Sequence, residues 1–103
     1  MRTVNTLCSL LTCPRCGVVV QTAVECHFGD TSQMLKLKIG DRYPWVPQKQ
    51  RQNGGRPENG NVAGEGYMEC PRCHKDSFLR VIVRDDVIES VELDTDRHGY
   101  LPD

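Results

Sequence analysis

Cys13-Pro14-Arg15-Cys16-Gly17 and Cys70-Pro71-Arg72-Cys73-His74 are one turn written twice, with 53 residues between Cys16 and Cys70. Two thiolates two residues apart can converge on one ion from a tight turn, because the turn aims both sulfurs and several backbone N–H groups at the same point. Two such turns supply four sulfurs, the closed tetrahedral set of a structural Zn²⁺. The expected ligands are therefore Cys13, Cys16, Cys70 and Cys73, holding one zinc. Pro14 fixes φ inside the first loop and Gly17 can take positive φ, so both favour the knuckle.

The totals ask for such a staple. The chain has 103 residues, of which only 38% are hydrophobic and 6% aromatic, which reads as a single domain over 1–103 with little to bury. A structural zinc contributes about 10–16 kcal/mol to the folding of a small peptide, so the metal-free chain is expected to be at least partly unfolded. The first residues contain no apolar signal run and no stretch reaches membrane-spanning length, which points to a reducing cytoplasm where repeated Cys-x-x-Cys turns are metal ligands rather than disulfides.

Outward from the knuckles the periodicity is that of strands. Val4, Leu7, Leu10 and Leu11 lead into the first turn as an edge strand, with Cys8 read as a small buried apolar residue. Val18, Val20, Thr22, Val24, Cys26 and Phe28 share one face of the clearest strand, opposite Gln21, Glu25 and His27. Cys26 and His27 fall on opposite faces and so do not make a second metal site. In Met34–Ile39, Leu35, Leu37 and Ile39 alternate with Lys36 and Lys38. Phe78–Val83 and Val87–Leu93, joined by Arg84-Asp85-Asp86, read as a β-hairpin. Residues 48–66 form a long flexible loop and residues 95–103 a polar tail. No amphipathic helix is evident. The fold expected is mainly β, a small antiparallel sheet of about 4–6 strands with a Cys₄ site. Tyr43 and Trp45, the latter between Pro44 and Pro47, either cover an open edge of the core or stand out as an aromatic anchor for a partner.

The two knuckles resemble those of the zinc-ribbon superfamily, which implies a small antiparallel sheet clamped by zinc on Cys13, Cys16, Cys70 and Cys73. The chain departs from that pattern at His74, where the family often has Gly, and in the long excursion between knuckles. His74 reads as a donor near the sulfurs rather than a ligand. Phe28-Gly29-Asp30-Thr31-Ser32-Gln33, then Lys38-Ile39-Gly40-Asp41 and Trp45, loosely resemble small bacterial zinc-ribbon proteins of unassigned function. Cys-Pro-Arg-Cys-His-Lys-Asp-Ser-Phe at 70–78 is similar to the second knuckle of rubredoxins, which would imply an iron-bearing electron carrier.

Charge separates the functions left open. Residues 36–56 carry Lys36, Lys38, Arg42, Lys49, Arg51 and Arg56 against Asp41 alone, whereas residues 76–103 carry eight acids against three arginines. A Cys₄ zinc has no open position for water or substrate, and no nucleophile and base are evident, so an enzyme or a small-molecule substrate is not expected. The first expectation is a module binding a protein partner, of the inhibitor or immunity-protein kind. It would offer Tyr43, Trp45, Asp85, Asp86, Glu89 and Glu92 to a basic effector. The alternative is nucleic-acid binding through Lys36, Lys38, Arg42, Lys49 and Arg51.

Overall fold

A computed structural model describes residues 3–94 and 96. Six strands, β1 (Asn5–Thr12), β2 (Val19–Cys26), β3 (Lys36–Lys38), β4 (Val62–Glu69), β5 (Asp76–Arg84) and β6 (Val87–Leu93), form one sheet in the order β3-β1-β2-β4-β5-β6. No α-helix occurs among the described residues, and the mainly β expectation holds. The sheet is mixed rather than wholly antiparallel, because β3 lies parallel to β1 in the register Thr6↔Lys36, Leu7↔Leu37, Cys8↔Lys38. That pairing also makes β1 an interior strand, not the expected edge.

The sheet curls until its ends meet. Gly40 N–H donates to Ile88 O at 2.8 Å, Ile88 N–H to Asp41 O at 2.9 Å, and Tyr43 N–H to Asp86 O at 2.7 Å, which ties the segment after β3 to the start of β6. Curling turns one face inward, and the inward residues of every strand become the core: Leu7, Val20, Val24, Cys26, Leu37, Met68, Leu79, Val81, Val83 and Ile88 are all buried. Cys26 is fully buried as expected, but Cys8 is not: its position pairs with Ala23 on the outer face, and the thiol is exposed.

The hairpin β5–β6 forms as its sequence predicts, with Asp85 and Asp86 both at positive φ (51° and 68°) in a two-residue loop. A bulge shifts the register between Ile82 and Val83, so that Ile82 faces Ser90 but Val83 faces Ile88, leaving Glu89 as the extra residue. The inward phase of 87–93 therefore changes at Glu89, and Ile88 rather than Val87 points inward.

Residues 62–66, expected within the long loop, are the first half of β4. The remainder of that segment carries two 3₁₀ turns, Arg51–Asn53 and Glu58–Gly60. An aromatic group seals the end of the core there. Phe28 stacks on Tyr43 with ring centroids 4.3 Å apart and planes 7° from parallel, and Trp45 leans on Tyr43 at 4.9 Å. Of the expected polar tail, Thr95 and residues 97–103 lie outside the described residues.

Candidate metal centre

Each knuckle sits at the tip of a strand pair, the first between β1 and β2 and the second between β4 and β5. Both are built from the same bonds. In the first, Gly17 N–H donates to Cys13 O at 2.8 Å and Cys13 N–H to Val18 O at 2.9 Å; in the second, His74 N–H donates to Cys70 O and Cys70 N–H to Lys75 O, both at 2.9 Å. Inside each loop an amide reaches back to the first sulfur, Arg15 N–H to Cys13 Sγ and Arg72 N–H to Cys70 Sγ, both at 3.4 Å. The loop closes at positive φ in both cases, 75° at Gly17 and 62° at His74.

These turns bring all four ligand atoms within 4.8 Å of one another. Across the knuckles Cys13 Sγ lies 3.8 Å from Cys73 Sγ and Cys16 Sγ 3.9 Å from Cys70 Sγ. Metal–sulfur bonds of about 2.3 Å around a tetrahedral ion place sulfurs about 3.8 Å apart, so the four thiols fit one such ion. Cys13 and Cys70 are buried, Cys73 is partly covered and Cys16 is exposed. Burial works against ionisation of Cys70, yet the amides of Cys73 and Arg72 and the neighbouring thiols bring it down to about 7. In Cys13 burial wins and the thiol is pushed up.

The position of the centre matters as much as its geometry. β2 and β4 share only the register pairs Glu25↔Tyr67 and Cys26↔Gly66, and toward the knuckles they share no further pair. At this end no main-chain ladder joins the two halves of the sheet among the described residues, and Thr22 Oγ1–H donates to Glu69 O at 3.5 Å across them. An ion on Cys13, Cys16, Cys70 and Cys73 would bridge the opening that the hydrogen-bond ladder leaves.

The other candidate residues are dispersed. Tyr43 is only 3% exposed, and its hydroxyl donates to Phe28 O at 2.7 Å. Trp45 is partly buried and its Nε1–H donates to Asp86 Oδ1 at 2.9 Å, so these aromatics cover the core's edge and do not stand out as an anchor. Asp86 is likewise part of the framework, with Arg56 donating from Nε to Oδ1 at 2.8 Å and from Nη2 to Oδ2 at 3.0 Å. The Arg56 guanidinium, together with Trp45 and the more distant Arg42, holds the Asp86 carboxyl below the usual carboxylate range. Asp85, Glu89 and Glu92 are exposed, Glu89 paired with Arg84 at 3.1 Å. Lys36, Lys38, Arg42, Lys49 and Arg51 are all exposed.

Two features had no distinct sequence signal. Arg56 lay among six scattered basic residues with nothing to mark it as the partner of Asp86. His27 lies between two carboxylates, Nδ1 at 3.1 Å from Glu65 and Nε2 at 3.5 Å from Glu25, and Glu65 belongs to the strand hidden in the glycine-rich stretch. The His74 imidazole is exposed and makes no hydrogen bond among the described residues, so the residue serves the knuckle through its backbone.

No helix of the described chain is long and apolar enough to cross a membrane. Set against protein-family models, curated proteins and solved structures, the chain matches none.

Proposed function

We propose that the chain is a zinc-stapled interaction module: one Zn²⁺ on Cys13, Cys16, Cys70 and Cys73 fixes the curled sheet, and the sheet's surface binds a protein partner. The convergence of four thiols at tetrahedral spacing, at the end where β2 and β4 share no register pair, carries this reading. Such a set is closed to water and substrate, which suits a structural ion and not an enzyme. Zn²⁺ is the ion that a Cys₄ set with amide N–H groups around its sulfurs holds in structural sites.

Tyr43, Asp86 and Trp45 are occupied within the fold, so the acidic surface offered to a basic partner reduces to Asp85, Glu89 and Glu92. Such complementarity speeds association and rejects wrong partners, as an inhibitor or immunity-type protein of the cytoplasm requires. Binding of nucleic acid is the second reading. It is favoured by Lys36 and Lys38, exposed on one side of β3, and by the nearby exposed Arg42. Tyr43 is buried and so offers no ring for a base to stack on.

Metal analysis and the absorption spectrum of the purified protein come first, then capture of partners from native lysate with and without nuclease. One colourless zinc per chain and a nuclease-resistant partner lost on D85N/E89Q/E92Q support the module. A red iron form would replace it with electron transfer, and partners that vanish with nuclease would replace it with nucleic-acid binding.

A further inference from the structure

The curled sheet closes on itself only from Gly40 to Tyr43 against Asp86 to Ile88 among the described residues. Among the described residues, β6 beyond Ile88 has β5 on one side and no hydrogen-bonded segment on the other, and β3 pairs only with β1. Asp94 N–H donates to Phe78 O at 3.2 Å. With the register Leu79↔Leu93 and Val81↔Val91, that bond sets the phase of the ladder, and the N–H and C=O groups of Val91 and Leu93 point away from β5. An edge with free main-chain groups at alternate residues is a template for another strand.

Side chains along the edge say what that strand would carry. Val91 and Leu93 lie on the core-side face, Val91 partly buried and Leu93 49% exposed, with apolar surface unused at the end of the core. Glu92, paired across from Arg80, lies on the opposite face and is exposed, and Glu89 is exposed at the bulge. A segment laid along β6 would set alternate residues beside Val91 and Leu93 and the intervening ones beside Glu92.

We propose that the outer edge of β6, from Glu89 to Leu93, is a strand-addition site for an extended segment of a protein partner in which apolar and basic residues alternate. The proposal rests on the partner-binding reading above and names its mode. The main-chain groups of Val91 and Leu93 supply the attachment, their side chains accept the apolar residues, and Glu92 selects for positive charge on the other face.

The test titrates the zinc-loaded full chain with acetyl-Lys-Val-Lys-Val-Lys-amide and with its Glu-Val counterpart, following backbone amides by NMR. The lysine peptide is expected to bind at least about tenfold more tightly, given one to two charge pairs across the edge, and to slow exchange of the Val91 and Leu93 amides. Val91→Pro removes an outward N–H without touching the β5 ladder and should abolish that binding with zinc content unchanged. If Val91→Pro disturbs the fold, Glu92→Lys serves instead and should reverse the preference toward the glutamate peptide. Equal binding of both peptides would overturn the proposal, leaving Glu89 and Glu92 as charges that merely protect an edge. Slow exchange at Val91 and Leu93 in the free protein would also overturn it, as would self-association through β6. Capture of the native partner separates the two readings: survival of capture in Val91→Pro removes the edge site alone, whereas peptide binding without any captured partner removes the module alone.

Discussion

Arg56 and Asp86 meet in a two-point ion pair, Nε to Oδ1 at 2.8 Å and Nη2 to Oδ2 at 3.0 Å, that fastens the segment between the aromatic group and β4 to the tip of the β5–β6 hairpin. Asp86 also receives the Trp45 indole N–H on Oδ1 and donates its own N–H to Gly60 O at 3.0 Å, so one residue holds three parts of the chain together. Such a pair gives direction as well as attraction, because a planar fork meets a planar carboxylate in one orientation only. Arg56→Gln should therefore loosen residues 48–61 without unfolding the sheet. The expected result is faster amide exchange and earlier proteolytic nicking confined to that segment, with metal content unchanged. A uniform rise in exchange over all six strands would show instead that the pair holds the whole fold.

Tyr43 is the centre of the aromatic group and is tied at its far end. Its hydroxyl donates to Phe28 O at 2.7 Å and lies 3.4 Å from Asn5 Nδ2, which itself donates to Asp30 O at 2.9 Å. Tyr43→Phe keeps the rings and removes the bond, leaving the partly buried Phe28 carbonyl short of a partner. The cost is expected at about 1–2 kcal/mol. For a domain of this size that lowers the melting temperature by roughly 4–8 °C per kcal/mol, measurable by calorimetry on the zinc-loaded protein.

Gly64 is where the sequence misled. Its stretch, Asn61-Val62-Ala63-Gly64-Glu65-Gly66, has the glycine content of a loop, yet it is a strand whose glycines are cut to fit neighbours. A Cβ at Gly64 would run into the Phe28 ring, and one at Gly66 would stand 3.0 Å from Val24 Cγ1 and 3.1 Å from Val81 Cγ2. Gly64→Ala should cost about 1–3 kcal/mol by overpacking. Phe28→Leu should relieve part of that in the double variant, a coupling that denaturant titration of the four-protein cycle would reveal. Simple additivity would mean that the glycine is there for backbone conformation and not for the ring.

The knuckles, β2, and the β5–β6 hairpin were legible because each is specified locally, by ligand spacing, alternation, or a two-residue turn. What escaped depended on partners far along the chain. β1 reads as an edge until β3 is known to lie parallel beside it, and Cys8 reads as buried until its register with Ala23 places it on the outer face. Asp86 has the composition of a solvated turn, and only the arrival of Arg56 and Trp45, 30 and 41 residues away, makes it structural. Lys36 and Lys38 are legible as an exposed pair, because alternation about the buried Leu37 suffices for that.

Two thiols lie outside the centre, and their surroundings predict opposite chemistry. Cys26 is fully buried, and burial pushes its thiol up to about 12, whereas Cys8 is exposed. Alkylation of the zinc-loaded protein near neutral pH should label Cys8 alone, and all six cysteines should react once the metal is chelated and the chain denatured. The raised value also has a consequence for stability. A thiol that ionises at about 8.5 when unfolded and only near 12 when folded favours the native state below the lower value, and that contribution is lost as pH rises through the upper one. Melting temperature should therefore fall between about pH 8.5 and 11, and less steeply in Cys26→Ala. An equal slope in that variant would place the alkaline loss elsewhere.

Gly17 and His74 occupy the same place in two otherwise matching knuckles, each closing its loop by donating to the first cysteine's carbonyl. Both have left-handed φ, which costs an L residue about 1–2 kcal/mol and glycine nothing. The second knuckle therefore carries strain that the first does not. A methyl group at Gly17 meets nothing within 4 Å, so Gly17→Ala isolates the backbone and should destabilise by about 1 kcal/mol. His74→Gly relieves the strain but frees the unfolded chain, which gives back about 0.5–1 kcal/mol, so its net gain should be at most about 1.5 kcal/mol. The two substitutions should thus shift zinc-loaded melting temperatures in opposite directions. Metal content should be the same in both variants as in the parent, because neither side chain belongs to the cluster of four thiols. Loss of zinc from His74→Gly would instead make the imidazole a ligand or a support of one, and the near-identity of the two knuckles would then conceal a division of labour between them.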